Sequence, residues 1–188
     1  MSSTDKDFDD IVGECKSLFI NKMKDYGTAW RVLRLPSITD QIYIKARRIR
    51  SIEEHGEAKI NEGVGEEYIG ILNYAVMALI QLNLPAVSTL EDINLPAQAV
   101  LSLYEQKISE VKTLLLNKNH DYGEAWRSMR IASITDIILQ KIFRIKSLED
   151  KNGQTLVSEP LAAHYSDIIN YSVFALIKLK ENNHADLQ

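Results

Sequence analysis

Apolar residues recur three and four positions apart through most of the chain, the period of helices that bury one face. In "FDDIVGECKSLFINKM" and in "AVLSLYEQKISEVKTLLLNK" they form one stripe each. A second pattern starts at Ser37, where Ile38, Ile42, Ile49 and Ile52 share a face. It recurs at Ser133 with Ile134, Ile138, Ile145 and Leu148. "SITD" opens both, with Ser predicted as N-cap and Asp40 or Asp136 as the acid of a capping box. A third pattern is predicted to begin at Asn61 or Ser158 and runs into "NYAVMALIQL" or "NYSVFALIKL". Glu62 and Glu159 follow those caps and suit the positive end of a helix. No segment alternates convincingly as a strand.

The patterns come in threes because the chain repeats itself. "NKMKDYGTAWRVLRLPSITDQIYIKARRIRSIE" matches "NKNHDYGEAWRSMRIASITDIILQKIFRIKSLE" at constant offset, and the third helix follows one residue out of step. We assign residues 8–82 to the first repeat, 83–98 to a linker carrying Pro85 and Pro96, and 99–182 to the second repeat. The expected architecture is all-α, with two three-helix units packed as a pseudo-two-fold bundle in one globular unit.

Composition narrows the class. The 188 residues carry a net charge of −4 and a pI near 5.6. A nucleic-acid polymer is therefore a disfavoured partner. No apolar run reaches the ~18 residues of a membrane span. Cys15 is alone and cannot form an intrachain disulfide, which suits a reducing compartment. The expected location is cytoplasmic.

Two clusters carry candidate chemistry. The first is "DYGxAWRxxR", which holds Asp25, Tyr26, Trp30, Arg31 and Arg34, and again Asp121, Tyr122, Trp126, Arg127 and Arg130. Trp30 and Trp126 are the chain's two tryptophans. An aromatic face beside guanidinium groups can hold a base and its phosphates. The same residues can also form a helix corner, with Trp plugging the core and Arg paired to Asp. The second cluster is Lys45 with Arg48, and Lys141 with Arg144. The lysines fall at the vacant place of the isoleucine stripe, where a cation needs an acid or an anionic ligand. Glu62, Glu66 and Asn73 are the internal candidates in the first repeat; Glu159, Asn170 and Asp167 are those in the second. His120 and His164 each occur in one repeat, so a shared zinc site is not expected.

The string "NKxxDYGxAWRxxR", with "SxTDxxxxKxxRIxSxE" and a later "NY", resembles the nucleotide modification associated domain, in which tandem copies occur. The resemblance covers nearly the whole chain, twice. That family is similar to the all-α NTP pyrophosphatases, including MazG-like proteins and dimeric dUTPases. It implies a MazG-like bundle that cleaves a nucleoside triphosphate, or a modified one, to the monophosphate and pyrophosphate. Trp and Tyr would hold the base, and Arg31, Arg34, Lys45, Arg48 and their counterparts the phosphates. Those enzymes hold Mg²⁺ on E-x-x-E of one helix and E-x-x-D of the next. Here the first pair reads Lys45-x-x-Arg48 and Lys141-x-x-Arg144, with the sign reversed. The second is split between Glu67-x-x-Gly70 and His164-x-x-Asp167. Metal ligands would have to come from Glu62, Glu66, Glu67, Glu159 and Asp167. The alternative is a non-catalytic helical module, in which the same residues form ion pairs that fix helix register and a pseudo-dimer or homo-oligomer interface.

Overall fold

Six α-helices form among the described residues, three from each repeat, and no strand. The computed structural model describes residues 3–56, 63–151 and 160–185. Helix α1 spans Ser3–Tyr26, α2 Leu35–His55 and α3 Val64–Gln81. Their counterparts are α4 Ala97–Tyr122, α5 Ile131–Asp150 and α6 Leu161–Ala185. A short 3-10 turn, Ala29–Val32 or Ala125–Ser128, leads into α2 or α5, and Glu91–Ile93 makes another in the linker.

The apolar stripes become the core. Phe8, Ile11, Val12, Cys15 and Phe19 bury one face of α1. Ile38, Ile42 and Ile49 are fully buried on α2, and Ile134, Ile138 and Ile145 on α5. Helices α2, α3, α5 and α6 form the centre: α2 packs on α3 and α5 on α6, while α2 meets α5 and α3 meets α6 across the pseudo-two-fold. Helix α1 lies against α6 as well as α3, and α4 against α3 as well as α6. Each outer helix thus covers both repeats, and neither repeat closes its core alone. Burial pushes the Cys15 thiol up to about 12, so it stays a neutral packing group.

Three details differ from the expectation. Helices α2 and α5 start earlier, with Arg34 and Arg130 at the N-cap in extended backbone and no side-chain cap. Pro36 sits in the first turn of α2, where an N–H has no helical acceptor anyway. Ser37 and Ser133 are therefore inside the first turn, and Asp40 and Asp136 do not close capping boxes. They reach across the repeats instead, Asp40 to Lys146 and Asp136 to Arg50. The third helices start later than expected at Asn61 and Ser158, residues outside those described: Gly63 is the N-cap of α3 in extended backbone, and α6 begins at Leu161 after non-helical Pro160. The vacant place in the α2 stripe is filled by buried Ala46, and in α5 by buried Ile142. Lys45 and Lys141 flank the stripe.

Two reciprocal hydroxyl clusters lock the repeats together. The buried Tyr68 phenol lies 2.7 Å from Thr135 Oγ1, and Thr135 donates to Glu53 at 2.7 Å. By the same pattern Thr39 donates to Glu149 at 2.7 Å, with the Tyr165 phenol 2.8 Å from Thr39. Each cluster draws residues from both repeats. Thr135→Val keeps the shape and strands two polar partners. It should cost about 1–3 kcal/mol, read from the urea midpoint.

Burial raises the Glu53 and Glu149 carboxyls above their ordinary value, against the lowering effect of the hydroxyl bonds. In the folded state they hold their protons to a higher pH than in the unfolded chain. Their contribution to stability is therefore greatest in acid. It is lost as pH rises from the unfolded carboxyl value through the raised folded one. Glu149→Gln should flatten that part of the stability–pH curve, measured by denaturant unfolding across the acid range.

Candidate functional site

The motif forms the corner between the first and second helices of each repeat. Helix α1 ends at Tyr26 because Gly27 takes φ 58°, and α4 ends at Tyr122 before Gly123 at φ 63°. A side chain is strained at either φ. The 3-10 turn then turns Trp30 or Trp126 back toward the core.

The two corners use their arginines differently. Arg31 is buried; it donates to Gln81 Oε1 and, at 2.9 Å, to the Pro85 carbonyl. Gln81 returns bonds to the Arg31 and Leu33 carbonyls at 3.0 and 2.9 Å. Burial lowers the Arg31 pKa, opposed by Asp92. This residue fastens the corner to α3 and the linker. Thr28 helps, donating to the Ile93 carbonyl at 2.6 Å. Arg127 pairs instead with Asp7, Glu124 and Glu181 at 2.6–2.8 Å and lies 4.5 Å from the Trp126 ring. Burial works against its charge, but those carboxylates outweigh it and raise its pKa.

The lysines meet acids on the third helices. Lys45 Nζ is 3.1 Å from Glu67 Oε2, and Arg48 binds the other oxygen of the same buried carboxylate. Lys141 pairs with Asp167 at 2.6 Å, and Lys118 reaches the same residue at 3.3 Å. The first-repeat partner is thus Glu67, while Glu66 is exposed. Asn73 instead donates to the Cys15 carbonyl at 3.0 Å and accepts from Tyr104 at 2.9 Å.

In repeat 1 these elements enclose a cavity of about 260 Å³, near the lower end of small-molecule sites. Trp30 and Tyr26 of the corner, Lys22 of α1, Lys45 of α2, and Gly70 and Met77 of α3 are in its wall. Tyr26 is 72% exposed and lies at the rim. Gly70 makes room for the Lys45 stem: a Cβ there would come within 2.8 Å of Lys45 Cε. In repeat 2 the counterpart of Met77 is Phe174, stacked on Trp126 with centroids 4.3 Å apart and planes 5° from parallel. The counterpart of Gly70 is Asp167.

Of the residues singled out by sequence, the structure brings Tyr26, Trp30, Lys45 and Asn73 to one cavity. Arg48 is behind Lys45 on Glu67. Asp25, Arg34, Arg130 and Arg144 are exposed, and neither Asp25 nor Arg34 is in the cavity wall. Asp121 and Tyr122 end α4, but their side chains, like Glu62 and Glu159, are outside the described residues. The acids do not converge: no group of three or more metal-ligating side chains occurs among the described residues. An Mg²⁺ ion would have to displace lysine from Glu67 or Asp167, or draw on Glu62 and Glu159. Lys22 was not singled out, although its match in Lys118 marks it, and Gly70 entered only as the acid missing from the second pair, where repeat 2 has Asp167.

Among the described residues the architecture is that of an all-helical tandem repeat, with a cavity in repeat 1 whose wall combines aromatic and cationic residues. The family model for nucleotide modification associated domain 1 matches residues 22–82 and again 118–179. The chain belongs to that family, in two copies. No curated protein and no solved structure matches it.

If Arg31 serves the corner alone, Arg31→Met should destabilise the fold by about 1–3 kcal/mol. Any ligand affinity measured well below the melting temperature should stay within about threefold of the parent. Calorimetry checks the first, titration the second.

Proposed function

We propose that the chain binds a nucleotide in the repeat-1 cavity, the base against Trp30 and the phosphates toward Lys22 and Lys45. The observation that carries this is one cavity whose wall includes Trp30 and Tyr26 together with Lys22 and Lys45. Base–aromatic stacking contributes about 1–3 kcal/mol per base, and ammonium groups answer phosphate charge. The family's association with nucleotide modification supports the same ligand class. Release of pyrophosphate from a triphosphate, as in MazG-like enzymes, is the finer form of this proposal. It calls for Mg²⁺ and several oxygen ligands. Glu67 and Asp167 are bound to lysines and an arginine, and no three acids converge among the described residues, so recognition is better supported than hydrolysis. The lone buried thiol and a nucleotide ligand both suit the cytoplasm. No helix among the described residues is long and apolar enough to cross a membrane.

A thermal-shift panel of ribo- and deoxynucleoside mono-, di- and triphosphates, with and without Mg²⁺, tests the proposal. At least one nucleotide should raise the melting temperature, and Trp30→Ala should weaken it about tenfold or more. A flat panel would overturn nucleotide binding and leave the helical module as the function. Pyrophosphate release in the Mg²⁺ arm would add the hydrolase.

A further inference from the structure

The two sites carry the same formal charge when matched residue by residue. Lys22, Lys45, Arg48 and Glu67 sum to +2, as do Lys118, Lys141, Arg144 and Asp167 with a neutral His164. What differs is where the carboxylate stands. Glu67 binds Lys45 and Arg48, and no ion pair of Lys22 occurs among the described residues. Asp167 stands one helical turn further along, where it binds both Lys141 and Lys118. The aromatic part differs in the same sense. Phe174 lies flat on Trp126, which is 5% exposed, whereas the matching Met77 leaves Trp30 half-buried in a cavity wall. A ring stacked on tryptophan and an anion between two lysines are what a bound ligand would supply.

We infer that repeat 2 is the repeat-1 site filled by its own side chains, Phe174 in the place of a ligand's ring and Asp167 in the place of its anion. Repeat 1 alone is then left to take a ligand, and the filled copy locates its parts. The ring lies on Trp30 beside Met77. The anion sits between Lys22 and Lys45, in the cavity whose wall includes Gly70. Phe174 and Asp167 are separated by about 10 Å along α6, a span that a nucleoside polyphosphate covers. The ring assignment rests on the nucleotide reading above; the anion position does not.

Inorganic tripolyphosphate is the probe for the anion position, titrated by calorimetry into the full chain. The parent should bind it at one site. Gly70→Asp, which copies Asp167, should weaken binding at least tenfold, with the Lys45 end shifting to admit the side chain. Lys22→Met, at an exposed position, should weaken it as much and decides the matter if the aspartate variant does not fold. Asp167→Gly should raise the count to two. No binding to the parent, unchanged affinity in a folded Gly70→Asp or Lys22→Met chain, or a single site in folded Asp167→Gly would each overturn the inference. The two proposals fail separately. Tripolyphosphate binding without any nucleotide in the panel removes the base and keeps the anion site. A nucleotide whose affinity ignores Gly70→Asp and Lys22→Met does the reverse.

Discussion

Two buried phenols govern how the repeats meet. Tyr68 and Tyr165 are fully buried, and a phenolic hydroxyl without a partner there would cost about 1–3 kcal/mol. Each finds its partner in the other repeat, Thr135 for Tyr68 and Thr39 for Tyr165. Apolar packing between α3 and α6 does not discriminate strongly between sliding registers, but the hydroxyls do. A slide that unpairs one cluster unpairs its twin, because the contacts are reciprocal. The flanking pairs, Asp40 with Lys146 and Asp136 with Arg50, are exposed and contribute little by themselves. They repeat the same register at the surface.

That fixed register lets the two sites diverge. The hydroxyl clusters lie on the side of α2 and α5 that faces the other repeat, while Lys45 and Lys141 face their own third helix. A change at Gly70 or Asp167 therefore leaves the locking contacts alone. Symmetry is required where the repeats touch and is relaxed where each faces its own corner. The arginines show the same relaxation: Arg31 serves α3 and the linker, while Arg127 serves α1 and α6.

Much of this was legible in the sequence. Helical periodicity and the internal repeat convey the all-α class and the pseudo-two-fold, since both depend on local spacing. The isoleucines at 38, 42 and 49 and their partners land in the core as spaced. Helix starts were less legible. Ser37 with Asp40 has the spacing of a capping box, yet Pro36 already favours the first turn and Asp40 has a cation across the interface. Lys45 was placed one position wrong in the stripe because Ala46 is small and reads weakly as apolar, although it is fully buried. The motif arginines could not be resolved locally. Arg31 bonds Gln81 and the Pro85 carbonyl, a partner in chain segments whose approach is decided by the fold. Trp30 and Trp126 sit in near-identical strings, and their different burial is set far along the chain by Met77 and Phe174.

The position of one carboxylate connects fold and chemistry. An acid on the third helix is needed in either repeat, since a half-buried lysine beside a stripe of isoleucine is costly without one. At the Glu67 position it faces Lys45 and Arg48 from the start of α3, and Gly70 leaves room for the Lys45 stem in the cavity wall. At the Asp167 position it enters the space between the lysines and fills it. Both solutions satisfy the lysine, so stability does not choose between them. The duplicated chain thus carries two stable answers to one electrostatic demand, and the described cavity lies beside the answer in repeat 1.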